Sequence, residues 1–316
     1  MRTIESKRPS PLLFLIFLVG TVTITFGQTH KPAIEYRSLM NVRYYEANGS
    51  FLVGQLQLVF PPASLDNATF VIAKAGGEVV GRVPLRYQPL DLPAFGLLYP
   101  VGTGRVSVGQ PGDYLMWVLI NGQQVTSLPF SLKVQKTSDP FDPVTRFVRE
   151  GPYDELAYLS VTPNDPKSEV RFNWWMSLRE VPAGMKRPKV TIHLLVNGKE
   201  IATSRSGVVP SLDDWQFFRG IQLMVRPKPP SQALTMADLT RNDGEIEVVV
   251  KAAGQTVKSY KTRAVRGQLQ RLPRNRLETE PHHRFISPRF LEMTGGGTLR
   301  DKMFEMYWVS KISERS

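Results

Sequence analysis

The chain of 316 residues has no cysteine. That excludes disulfides, a lipidated cysteine behind an export signal, a thiol nucleophile and every cysteine-ligated metal site. Histidine is scarce, with four residues, and none stands in a motif with a nucleophile. His193 alternates opposite the apolar positions of its segment. His282 and His283 are adjacent in a proline-flanked stretch, poor geometry for two ligands of one ion. The Gly-x-Ser-x-Gly elbow, the phosphate-binding loop, the dinucleotide fingerprint and the His-Glu-x-x-His helix are all missing. Helical periodicity is nearly absent, and no apolar run beyond the first 27 residues is long enough for a helix to cross a bilayer. These gaps point to a protein that is not an enzyme and carries no cofactor or metal.

What is present begins with an export-like N-terminus over residues 1–27. Arg2, Lys7 and Arg8 precede an apolar run from Leu12 to Phe26, and Thr25-Phe-Gly27 offers a cleavage site before Gln28. An exported chain without cysteine fits a bacterial periplasmic or secreted protein better than a disulfide-stapled animal one. The net charge is +12, and Lys258, Lys261, Arg263, Arg266, Arg271, Arg274 and Arg276 crowd toward the C-terminus. Such a run attracts a polyanionic glycan or lipid surface, or stays solvated; export makes nucleic acid an unsuitable partner.

The 24 glycines and 25 prolines suit short strands joined by turns. Period-two alternation recurs in Phe51–Phe60, in Val170–Leu178 and in Val190–Val196. Gly112-Asp-Tyr-Leu-Met-Trp-Val-Leu-Ile-Asn-Gly-Gln-Gln-Val-Thr-Ser127 aligns without a gap on Gly244-Glu-Ile-Glu-Val-Val-Val-Lys-Ala-Ala-Gly-Gln-Thr-Val-Lys-Ser259. Six of the sixteen positions are identical: Gly112/Gly244, Val118/Val250, Gly122/Gly254, Gln123/Gln255, Val125/Val257 and Ser127/Ser259. Each copy reads as strand, tight turn and strand, and a period of 132 residues means two copies of a whole domain. Asn121-Gly122 and Asn197-Gly198 both favour type I′ turns.

This arrangement resembles the Ig-like or fibronectin-III-like modules of exported bacterial proteins. The resemblance implies an all-β chain of two antiparallel sandwiches in tandem, over 28–136 and 153–266, joined by a linker over 137–152. A basic extension, 267–316, follows. Within it Leu299, Met303, Met306 and Tyr307 fall at helical spacing, so a short amphipathic helix is expected after Gly295-Gly-Gly297.

Aromatic residues supply the best binding candidates. Trp174 and Trp175 are neighbours on one strand and point to opposite faces, Trp174 with Phe172 and Met176 toward the core. Trp175 then joins Trp215, Phe217, Phe218 and Arg219, which are read as a loop cluster, as contacts for a ligand or partner. Arg271, Arg274 and Arg276 complete that set from the tail. Burial against the other domain competes with exposure for these aromatics. Asp139, Asp142, Asp154, Glu155 and Asp165 match no calcium loop and read as turn residues, as does Asp213-Asp214.

The function expected is binding or structural work in the bacterial envelope. A carbohydrate-binding accessory protein is the first alternative and needs the aromatics exposed and coplanar. A periplasmic chaperone, needing an open edge strand and a basic cleft, is the second. A hydrolase with loop carboxylates is the third.

Overall fold

The computed structural model describes residues 32–34, 38–39, 42–45, 49–90, 95–136, 145–154, 156–162, 165–182, 188–211, 214–226, 231–270, 289–293 and 299–311. The first half of the chain contributes β1 (Ala33–Ile34), β2 (Arg43–Tyr45), β3 (Ser50–Leu52), β4 (Leu56–Val59), β5 (Ala68–Lys74) and β6 (Val79–Pro89). It continues with β7 (Phe95–Pro100), β8 (Arg105–Ser107), β9 (Gly112–Ile120), β10 (Gln123–Lys136) and β11 (Thr145–Glu150). The second half contributes β12 (Leu156–Val161), β13 (Arg171–Met176), β14 (Val190–Val196), β15 (Lys199–Ser204), β16 (Gln216–Arg226) and β17 (Gln232–Ala233). A single-turn helix, α1 (Met236–Leu239), precedes β18 (Gly244–Ala252), β19 (Gln255–Val265), β20 (Gln268–Leu269), β21 (Arg289–Met293) and β22 (Leu299–Lys311).

The chain is all-β with antiparallel pairing, in two curled sheets that fit two β-sandwich-like halves. In the first, an eight-stranded sheet runs β1-β4-β7-β6-β5-β9-β10-β11, and a small sheet of β2, β3 and β8 faces it. Phe51 of the small sheet meets Phe130 of the large one at 5.0 Å between ring centroids. The second half runs β12-β13-β16-β15-β14-β18-β19. Ranked along the chain, seven strands of each half lie side by side as first, second, fifth, fourth, third, sixth and seventh.

Register repeats along with order. Phe70 of β5 faces Val118 of β9, and Ile192 of β14 faces Val250 of β18. Ile120 pairs Gln123 across one hairpin, and Ala252 pairs Gln255 across the other. Both hairpins slip by one residue at the same place, at Val125 and at Val257. A bulge at equivalent positions re-aims the returning strand in the same way in both copies.

The turns follow from residue chemistry. Asn121 and Asn197 each sit at φ 49° with glycine after them, the I′ conformation that asparagine tolerates. The third turn puts Ala253 at φ 47° before Gly254, where a Cβ is costly. Asn121 does more than tolerate its angle: its carboxamide accepts from Asp66 N at 2.9 Å and donates to Ser64 O at 2.9 Å. α1 is closed by a reciprocal Thr235–Asp238 capping box.

The C-terminal segment differs from the expected helix. It forms β21 and β22, and β22 enters the second sheet between β12 and β19. Residues 156–161 pair with 310–305, and Tyr260 and Lys261 pair with Lys311 and Ser310. The second half thereby becomes a closed ring of eight strands: β12, β13, β16, β15, β14, β18, β19 and β22. Leu299, Met303, Met306 and Tyr307 satisfy a helical spacing locally, but two unpaired strand edges offer the backbone partners that an isolated helix of this length lacks. The stretch read as a linker likewise holds a strand, since β11 pairs with β10 from Thr145 to Glu150. Lys31–Ser316 is a single compact unit, so the two halves are not beads on a string.

Replacing Ala253 by Asn should relieve the left-handed strain and raise unfolding stability by about 0.5–1 kcal/mol. Asn121→Ala should lower it by about 2 kcal/mol, because strain returns and the carboxamide bonds vanish. Urea denaturation of the two variants checks both signs.

Candidate functional site

The outer face of β12, β13 and β16 carries Tyr158, Trp175 and Phe217. These side chains pack into the core of the first half, while Phe172, Trp174 and Phe218 fill the second core. Trp175 is 1% exposed and its ring lies 4.3 Å from that of Phe217. Phe218 stacks on Trp174 at 4.9 Å. The alternation of β13 thus sends one tryptophan to each core, and the seam between the halves is aromatic.

Two buried cations sit in this seam. Arg149 comes from β11, where period two places it on the same side as Phe147, a residue packed on the first core. Its side chain is 2% exposed. Nη1 donates to Val42 O of the first half at 2.9 Å. Nη2 and Nε donate to Asp214 of the second half at 2.8 and 3.3 Å, a bidentate fork. Its backbone carbonyl accepts from Trp215 Nε1 at 2.9 Å and Arg179 Nη2 at 3.2 Å. Lys258 of β19 is the second cation, at 1% side-chain exposure. Its Nζ meets Glu180 Oε1 at 2.7 Å and donates to Trp175 O at 3.0 Å.

Aromatic rings connect the two cations. The Arg149 guanidinium lies 4.7 Å from the Tyr153 ring centroid. Tyr153 stacks on Trp215 at 5.6 Å and 12°, and Lys258 Nζ lies 5.0 Å from the Trp215 centroid. The chain of contacts runs Asp214, Arg149, Tyr153, Trp215, Lys258, Glu180. Each cation has a carboxylate and at least one ring, Arg149 lying also 5.9 Å from the Tyr44 and Phe51 centroids, which offsets desolvation that no single partner would cover. Burial pulls the Arg149 pKa down, but Asp214 and Tyr153 outweigh it and the guanidinium ends above its ordinary value. Burial pushes the Tyr153 phenol up to about 12, against the pull of Arg149.

The aromatic candidates are therefore interior groups. Trp215 and Phe217 are half-buried against the first core, and Trp175 and Phe218 are buried. Phe217, Phe218 and Arg219 lie on β16 and not in a loop, so successive side chains diverge to opposite faces. Stacking on a sugar needs open coplanar rings, and these positions do not supply them. Arg219 is exposed. Arg271, Arg274 and Arg276 lie outside the described residues. So do residues 1–27, Asp139, Asp142, Glu155 and Asp213. Asp165 is a turn residue, accepting from Lys167 N at 2.9 Å.

Arg149, Tyr153, Glu180 and Lys258 were not visible as a set, yet a signal for Lys258 existed. In β19 it shares the inward row with Tyr260, Thr262 and Ala264, an arrangement in which a lysine must find a partner. Its equivalent in the first half is Thr126.

A second polar cluster lies on the outer face of β14. Thr191 Oγ1 is 3.0 Å from His193 Nε2, and His193 Nδ1 is 3.0 Å from Glu200 Oε2. The order hydroxyl, imidazole, carboxylate is that of a nucleophilic relay. The amides flanking Thr191 are occupied, however: Val190 N donates to Val208 O at 2.7 Å and Ile192 N to Ser204 Oγ at 3.1 Å. An oxyanion beside Thr191 would find neither of them free. The cluster acts as a cross-strand polar staple.

Comparison with family models, with curated proteins and with solved structures finds no match to this chain.

Arg149→Met should cost about 3–5 kcal/mol by stranding Asp214, and the double variant Arg149→Met/Asp214→Leu should recover part of the loss. A double-mutant cycle in urea measures this. Tyr153 has a folded-state pKa above its unfolded one, so its contribution is complete below about pH 10 and fades as the pH climbs to about 12. Tyr153→Phe should flatten that alkaline limb of the stability curve, read by pH-dependent chemical denaturation.

Proposed function

We propose that this chain is an exported, non-enzymatic binding or structural protein of the bacterial cell envelope, built from two Ig-like modules and working through their outer surfaces. The observation that carries the reading is the seam. Two halves of identical strand order are welded by buried ion pairs and stacked rings, which makes a rigid double module and leaves its outer strands and faces to meet partners. The order first, second, fifth, fourth and then third, sixth, seventh matches the A, B, E, D and C, F, G sets of an Ig-type sandwich, although here the fourth and third strands also pair with each other; the shared order supports the Ig-like part of the reading. Export rests on the basic-then-apolar N-terminus and on the lack of cysteine.

A chaperone with a basic interdomain cleft is less well supported. The two seam cations are already neutralised by Asp214 and Glu180. Lys261 of the basic run is likewise engaged, with Glu245 at 2.9 Å.

The test is fractionation of a bacterial cell expressing the full tagged chain, with N-terminal sequencing and in-cell cross-linking. The expected result is recovery from the envelope or medium with Gln28 as first residue and a cross-linked envelope protein. Recovery from the cytoplasm with the N-terminus intact overturns the reading. Truncation is unsuitable for locating the contact surface because β22 is a ring strand. The variant Arg271→Ser/Arg274→Ser/Arg276→Ser serves instead. Equal capture by this variant places the contact on the module faces, and lost capture places it on the basic segment.

A further inference from the structure

The ring of the second half is closed by a strand that comes from far along the chain. β22 pairs with β12 over six residues and with β19 over two, and it delivers Val309, 3% exposed, to the second core opposite the small side chain of Ala157. Without β22, the edges of β12 and β19 would face one another across a gap of one strand, with the site of Val309 open between them. Such a slot exposes unpaired backbone groups and apolar surface, and it demands a strand.

Connection length separates the two halves. In the first, β11 pairs with β10 after only eight intervening residues, 137–144. In the second, 18 residues, 271–288, separate Gln270 from Arg289 before the β21–β22 pair begins. Eighteen residues can span up to about 60 Å. The circumference of an eight-stranded ring is about 38 Å at ~4.8 Å per strand. A connection of that length does not by itself oblige β22 to fill the slot of its own chain.

We propose that the slot between β12 and β19 accepts β22 from a second copy of this chain, so that copies associate by exchanging their terminal strand. The contacts made in the exchanged state are those already present: residues 156–161 against 310–305, Tyr260 and Lys261 against Lys311 and Ser310, and Val309 in the core. Since both states make the same pairs, concentration decides between them. Exchange gains ground as the chain approaches the millimolar effective concentration of a tethered strand. Reciprocal exchange closes a two-fold dimer. The exchange depends on the ring and its tether alone, not on export.

The lack of cysteine allows a direct test in the full chain. Leu156 lies opposite Ser310 across the β12–β22 pair. Two single variants, Leu156→Cys and Ser310→Cys, carry different tags and are refolded together at increasing concentration, then oxidised. The double variant Leu156→Cys/Ser310→Cys, refolded dilute, reports closure within one chain. The expected result is a mixed disulfide joining the two tags, its yield rising at least several-fold from micromolar to near-millimolar chain, with single-tag dimers remaining minor. Closure of the dilute double variant without mixed disulfide from the two singles at any concentration overturns the proposal. Failure of the double variant to close also overturns it, because β22 would then not occupy the slot.

Discussion

Two cations that cannot reach water set the terms for the rest of this molecule. Arg149 and Lys258 lie where the halves meet, and a guanidinium or ammonium taken from solvent costs several kcal/mol unless paired and hydrogen-bonded. Each is answered by a carboxylate at 2.7–2.8 Å and a ring at 4.7–5.0 Å. Those partners come from separate elements: Asp214 from just before β16, Glu180 from the turn after β13, and Tyr153 from the turn after β11. All must arrive together. The seam thus couples the folding of the halves, which helps explain why Lys31–Ser316 is one compact unit although each half owns a core.

The same contrast shows how two copies of one topology have diverged. At the hairpin bulge the first half has the buried Thr126 where the second has Lys258. A hydroxyl can satisfy itself locally, whereas the lysine needs Glu180 and the carbonyl of Trp175. At the turn the first half has Asn121, which suits positive φ, where the second has Ala253. Beside its seventh strand the first half takes β11 from the segment that joins the halves, whereas the second takes β22 from the end of the chain. Each difference leaves the strand order untouched, because order is set by the alternating inward rows and the turns between them.

Much of the fold was legible in the sequence for that reason. The repeat, both Asn-Gly turns and the opposed faces of Trp174 and Trp175 are local or periodic features. The seam was less legible. Alternation says that Trp175 leaves its own core, not that another core receives it, and Arg149 and Asp214 are 65 residues apart. Nothing in the spacing announces such a pair. Phe217 and Phe218 were misplaced in a loop because Asp213, Asp214 and Gly220 look like turn chemistry around them. Gly220, at φ 64°, instead marks a bulge in β16, where its N–H donates to the buried Asn173 at 2.8 Å. The terminal strand was the hardest to foresee, since its residues carry a helical spacing and the edges that pair with it lie far away in β12 and β19.

The positions of these groups bear on where recognition can occur. Of the groups that suggest binding in a bare sequence, the paired tryptophans and Phe218 are drawn inward, whereas among the described members of the basic run only Lys258 is, and Arg263 and Arg266 are exposed. Trp175 and Phe218 are buried, and Lys258 and Lys261 are paired to Glu180 and Glu245. The described outer surface of the second half is therefore made of mixed polar strand faces more than of aromatic platforms. Backbone recognition is possible only at an edge, and in the second sheet the short strands β17, β20 and β21 pair on one side only while the ring strands pair with neighbours on both. The ring closes with β22, the last described strand, which pairs with both β12 and β19. Changes in β22 would alter the stability of the whole second half, because its six-residue pairing with β12 and its two-residue pairing with β19 complete the ring.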